Sequence, residues 1–136
     1  MERRGIKFGV YIPEDIAMEL EDIMKSMGID NKSKVIQEAL RVFVLENKWY
    51  FTKSVAGSIA ILYNHDVDEV DEKLTDIQHE YIDIIKASMH VHLDEKKCML
   101  LIAVKGESSK IKELIGKLHT IRGVLLIRHV LLSLED

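Results

Sequence analysis

Eight residues near the N-terminus, "GIKFGVYI" (5–12), set the strongest constraint on how this chain folds. Ile6, Phe8, Val10 and Ile12 alternate with Lys7, Gly9 and Tyr11, the period of two expected of a half-buried strand. Pro13 sits where a helix's first turn tolerates it, and Glu14 and Asp15 stand beside the positive end of that helix's dipole. Ile16, Leu20, Ile23, Met24 and Met27 give an apolar stripe, and Gly28 is a natural stop. A second helix lies within "NKSKVIQEALRVFVLENKW", capped by Asp30 or Asn31, with Val35, Ile36, Ala39, Leu40, Phe43 and Val44 on one side. One strand and two helices, about fifty residues in all, cannot pair the strand or bury both stripes alone. The segment asks for a second copy, strand against strand.

That pairing is a ribbon-helix-helix. Its two-stranded ribbon fits a DNA major groove and reads bases with the side chains opposite the core, here Lys7, Gly9 and Tyr11. The start of the second helix, around Asn31, Lys32 and Ser33, would hold a phosphate through free backbone N–H groups. The competing view is a helical dimerisation arm that never meets DNA. Charge does not separate the two. The net charge is −4; residues 1–53 carry nine Lys/Arg against nine Asp/Glu, and residues 54–136 carry ten against fourteen. A polyanion would therefore meet the N-terminal part, where Arg3, Arg4 and Lys7 stand against Glu2 in the first ten residues.

"NKWYFTKSVAG" looks like a connector closing near Gly57, after which the types alternate. "SIAILYN" suggests a strand, Val67 to about Lys86 a helix, and "SMHVHLD" and "CMLLIAVKG" two strands. Ser108 or Ser109 caps a helix to about Ile121, and "GVLLIRHVLLSL" closes as a strand. The order βαββαβ is the ferredoxin-like split unit, an antiparallel sheet with two helices on one face. The expected fold class is α+β: a ribbon-helix-helix (βαα) domain over 1–50, a linker over 51–56, and a βαββαβ domain over 57–136. Hydrophobic content of 47% and charged content of 31% describe a globular chain. No apolar run is long enough to span a membrane, and the start lacks a signal peptide's apolar core. With one cysteine there is no internal disulfide, so a cytoplasmic location is expected.

Chemistry concentrates in "ASMHVHLDEKKCMLLIAVKGE" (87–107). His90 and His92, two apart on a strand, emerge on one face. Whether Cys98 joins them depends on the turn between. An odd number of loop residues sets Cys98 across from His92, with Cβ atoms roughly 5 Å apart; an even number sets it across from Leu93, facing away. Two imidazoles and a thiolate want a fourth donor, and His79 is the candidate. It falls opposite the stripe of Val67, Val70, Leu74, Ile77, Tyr81 and Ile84, so it points to solvent and would reach the hairpin of a neighbouring chain. The bland alternatives are a small buried cysteine and an exposed HxH pair. His65, His119 and His129 show no comparable spacing. No Gly-rich phosphate loop, activated nucleophile or catalytic carboxylate pair is present, so an enzyme is not expected.

These residues resemble the nickel-responsive ribbon-helix-helix repressors of the NikR family along the whole chain. "QHEYIDIIKASMHVHLDEKKC" is similar to that family's metal segment at each ligand position, and "GSIAILYNHD" and "AVKGE" are also similar. The resemblance implies a homotetramer, two ribbon-helix-helix dimers flanking four ACT-like domains. It also implies one Ni(II) per chain, held by His90, His92 and Cys98 with His79 of a neighbour, and Gln78 as a supporting glutamine beside His79. The implied partner is double-stranded operator DNA, and the implied activity is nickel-dependent repression of nickel-uptake genes. The chain departs from the family pattern in three places. Lys7, Gly9 and Tyr11 stand where Arg and small hydroxyl residues are usual; Leu100 replaces a glutamate two residues after the cysteine; Lys34 replaces a glutamate at the start of the second helix. Two other functions remain in play: a nickel buffer or store with a decayed base-reading strand, and a ribbon-helix-helix regulator with a different effector.

Overall fold

The computed structural model describes residues 4–135, so Glu2 and Arg3 of the N-terminal charge count lie outside it. The chain divides into two compact units, one up to Ala39 and one from Leu40 onward. In the first unit α1 spans Glu14–Met27, with Pro13 immediately before it and Glu14 and Asp15 in its first turn. Gly28 ends the helix at φ 69°, a conformation that costs glycine nothing. The N–H groups of Gly28 and Ile29 there reach back to the carbonyls of Lys25 and Met24 at 3.2 and 2.9 Å. The second helix, α2, spans Lys32–Asn47. Of its two candidate caps it uses Asn31, whose Oδ1 accepts the Lys34 N–H at 3.0 Å.

The expected N-terminal strand does not form within one chain. Residues 4–13 carry no regular structure, and Ile6, Phe8 and Val10 are 85%, 70% and 63% exposed. A strand's N–H and C=O groups need a neighbouring strand, and no other strand lies among the described residues of this unit. Between α1 and α2 an open groove of about 390 Å³ is lined by Leu20, Ile23, Met24, Met27, Ile29 and Val35, so the helical stripes also lack a cover.

The second unit takes in the end of α2 and then a 3₁₀ turn, Lys48–Phe51, followed by β1 (Ser54–Asn64), α3 (Val70–Glu80), β2 (Ile85–His92), β3 (Lys97–Glu107), α4 (Ser108–Thr120) and β4 (Val124–Ser133). The sheet order is β2-β3-β1-β4, antiparallel throughout, which is the ferredoxin-like split βαβ arrangement. Val55, Ile59, Ile61 and Tyr63 of β1 and Cys98, Leu100, Ile102 and Val104 of β3 alternate inward, as a one-sided sheet requires. Val70 and Leu74 of α3 and Ile111, Leu114 and Leu118 of α4 close over them in one core. The other face is uncovered and apolar: Met89, Leu126, Val130 and Leu132 are each at least half exposed. No helix among the described residues is long and apolar enough to cross a membrane.

Several boundaries differ from expectation. The helix expected from Val67 to Lys86 is only α3, because the chain turns over Tyr81–Ile84, and the apolar period continues through the turns while Tyr81 and Ile84 stay buried. Strand β2 accordingly begins three residues before Ser88, and β1 begins at Ser54, within the stretch read as connector. Neither Ser108 nor Ser109 caps α4. Extended Glu107 occupies that position and makes no side-chain cap bond.

Candidate metal centre

The five-residue turn between His92 and Cys98 is odd, and the strands settle into the register that unites the donors. His92 lies directly across from Cys98, and His90 across from Leu100. Asp94 pins the turn: its Oδ1 accepts the N–H groups of Lys96 and Lys97 at 2.8 and 2.7 Å. Those bonds, the Lys97 one foremost, hold the Asp94 carboxyl below the usual range. The His65 ring braces the same turn from outside against the Glu95 carbonyl. His65 therefore has a structural place that its spacing did not reveal.

One donor atom each from His90, His92 and Cys98 lies within 4.8 Å of the other two. Cys98 Sγ is 3.3 Å from His92 Nδ1, and the two imidazole centroids are 4.9 Å apart. Cys98 is fully buried, whereas both histidines are exposed, so the cluster has a dry floor and an open mouth. Metal–nitrogen and metal–sulfur bonds of about 2.0 and 2.3 Å place two neighbouring ligands about 3–3.5 Å apart. The His92–Cys98 pair already has that spacing. Two imidazoles and a thiolate suit late first-row cations far better than Mg²⁺ or Ca²⁺, so the residues fit nickel.

Beneath His90 stands Tyr63, buried in β1 directly across from Cys98. Its hydroxyl lies 2.8 Å from His90 Nε2 and 3.1 Å from Asp71 Oδ1. Burial first, then the Asp71 carboxylate, pushes the phenol well above the ordinary tyrosine range, so it keeps its proton. The β1–β4 pairing slips between Leu62 and Tyr63, an irregularity of the kind that re-aims side chains near functional sites. Sequence alone marks Tyr63 only as an inward position of a strand, and nothing in the spacing points to Asp71.

His79 is exposed on α3 and is not among the three assembled donors of its own chain. Gln78 beside it is half-buried and donates to the Leu74 carbonyl at 3.3 Å. It lines both the groove holding His90 and Tyr63 and the adjoining one holding His79. In the first unit Lys7, Gly9 and Tyr11 lie on the segment without a strand, with Tyr11 88% exposed. Lys32, at the start of α2, is tied to Glu21 at 2.6 Å. Ser33 Oγ accepts from Gln37 Nε2 at 3.5 Å.

The family pattern described as the NikR C-terminal nickel-binding domain matches residues 56–132. The chain belongs to the NikR family. NikR relatives, each provisionally named a nickel-responsive regulator, match it nearly end to end. One from Dictyoglomus thermophilum is 40% identical over 96% of both chains. One from Pyrococcus horikoshii is 41% identical over 88% of this chain and 87% of its own. NikR proteins are transcription regulators and not enzymes. A solved structure of an uncharacterized Thermotoga maritima protein matches the fold alone. Its TM-score is 0.51 at 18% identity, over 61% of this chain and all of that one.

Proposed function

We propose that this NikR chain is a cytoplasmic nickel-dependent repressor, in which one Ni(II) per chain is held by His90, His92 and Cys98 and completed by His79 of a second copy. The observation that carries the proposal is the three-donor cluster, with His79 of the same chain absent from it. An exposed histidine beside an open-mouthed cluster suits a donor shared between chains, with Gln78 steadying it. When bound, the cation supplies a fixed charge and a bridge between subunits. The protein's own part is to hold the soft donors on a rigid hairpin and to keep the thiol dry.

Assembly supplies the rest. The uncovered sheet face and the open groove between α1 and α2 are apolar surfaces that a homotetramer, a dimer of dimers built on ACT-like cores, would bury. Residues 5–12 of two copies would pair into the ribbon, presenting Lys7, Gly9 and Tyr11 to an operator in double-stranded DNA. The segment Asn31, Lys32 and Ser33 would sit at the phosphates. Metal that favours one tetramer arrangement raises operator affinity by the same factor by which DNA raises metal affinity. Genes for nickel uptake are the expected targets.

A second function is favoured by two observations: Gly9 offers no side chain to a base, and Glu21 already neutralises Lys32. Both suit a nickel buffer or store. Selection of random duplex DNA with and without Ni(II), using wild type and Cys98→Ala, decides the matter. The repressor requires nickel-dependent, sequence-selective enrichment that the variant loses. Stoichiometric nickel binding without enrichment would mean a buffer, and enrichment indifferent to nickel would mean a different effector.

A further inference from the structure

Neither Tyr63 nor Asp71 is a metal donor, yet together they reach the donor set. A phenol carries one proton, and the Tyr63 hydroxyl lies within hydrogen-bond distance of both His90 Nε2 and Asp71 Oδ1. If the proton went to His90, the phenol oxygen and a carboxylate oxygen would face each other at 3.1 Å with no hydrogen between them. A carboxylate only accepts, so the proton belongs on the Asp71 side. The phenol oxygen is then free to accept, and the group 2.8 Å away must donate: His90 carries its hydrogen on Nε2. A neutral imidazole with Nε2–H has its lone pair on Nδ1.

We propose that Asp71 and Tyr63 are positioning residues: the relay Asp71–Tyr63–His90 fixes the His90 tautomer and ring angle, and commits Nδ1 of His90 to the metal. The inference rests on the nickel-centre reading above and adds to it which nitrogen binds and what selects it. His92 already turns its Nδ1 toward Cys98, so both imidazoles would present the same nitrogen. The relay also answers the departure at Leu100. That side chain lies directly across from His90 and is a buried hydrocarbon with no hydrogen bond to offer. The hydroxyl comes instead from the next strand over, held by a residue in the first turn of α3. Partners of this kind set ligand basicity and orientation, and their loss typically costs 10–100-fold in metal affinity.

The test uses the full chain labelled with ¹⁵N-histidine. In the metal-free protein, nitrogen shifts and long-range couplings report which His90 nitrogen is protonated. Competition against a chelator then gives Ni(II) affinity for wild type, Tyr63→Phe, Asp71→Ala, Asp71→Asn and Cys98→Ala. The relay requires His90 to be protonated on Nε2 in wild type and to become a tautomer mixture in Tyr63→Phe and Asp71→Ala. Both variants should lose about 10–100-fold in nickel affinity. Asp71→Asn should recover most of that loss, because an amide oxygen still accepts from the phenol. A simple packing role for Tyr63 would leave the tautomer unmoved. His90 protonated on Nδ1 in wild type, or Tyr63→Phe binding nickel as wild type does, overturns the inference. If Cys98→Ala also binds as wild type, the metal centre itself fails; if only that variant loses nickel, the centre stands and the relay alone is refuted.

Discussion

Cys98→Ala separates two roles that a buried cysteine can play, and the structure supplies both magnitudes. Cys98 is fully buried, so the substitution removes one sulfur from a closed core. A group about the size of a methylene is worth roughly 0.8 kcal/mol in transfer, and the small void left behind brings the cost to about 1 kcal/mol. For a domain of this size that lowers the melting temperature of the metal-free protein by about 4–8 °C. Nickel acts in the opposite direction. At a free concentration one hundred times the dissociation constant it stabilises the folded state by about 2.7 kcal/mol, a rise of about 10–20 °C in wild type. The variant, left with two exposed imidazoles, should show almost none of that rise. The assay is thermal unfolding followed by tryptophan fluorescence, with and without Ni(II). Trp49 is the single tryptophan and is 3% exposed within the second unit's core, so it reports the unit that holds the cluster. A nickel-induced rise that survives in Cys98→Ala refutes the thiol's part in the centre. A metal-free loss far beyond 10 °C would mean the cysteine is chiefly a packing residue.

Three further outcomes are expected. His79→Ala and Cys98→Ala proteins should each lose tight nickel binding, and a mixture of the two should regain a fraction of the sites; no recovery on mixing would place His79 in its own chain's site. A Cβ at Gly57 would lie 2.0 Å from the Val130 carbonyl oxygen, so Gly57→Ala must part β1 from β4 and should cost about 1–3 kcal/mol, measured by denaturant unfolding. His129, half-buried with its ring 5.7 Å from Trp49, is held below the ordinary histidine range, first by burial and then by Arg128. A folded-state value below the unfolded one means the unfolded chain binds more protons. Stability is then flat above about pH 6.5 and falls on acidification below it, and His129→Phe should flatten that fall in a pH series of melting curves.

Most of the second unit was legible because burial writes itself into sequence with a fixed period. Inward Val55, Ile59, Ile61 and Tyr63 and inward Cys98, Leu100, Ile102 and Val104 alternate cleanly. The ends were less legible, since Tyr81 and Ile84 extend the helical period through a turn. The donor register was not legible at all: it depends on how Asp94 folds its carboxylate onto two amides, a matter of turn geometry that strand periodicity does not carry. Nor could sequence show that Tyr63 and Asp71, eight residues apart, converge on His90, because strand slip and helix placement set that contact together. The N-terminal strand is a different case. Its alternation reads as a strand, yet residues 4–13 carry no regular structure, because periodicity says nothing of whether a neighbouring strand is there to pair with.

Every group seen around the donor cluster, from Tyr63 and Asp71 through His90, His92 and the Asp94 turn to Cys98 and Leu100, comes from one continuous stretch of three strands and one helix. Among the described residues, these groups all fall within 63–100. The metal-binding chemistry is thus encoded in one run of codons, apart from the run that encodes α1. A grafted residue 54–135 segment should therefore carry its metal preference with it, whatever N-terminal segment it is joined to.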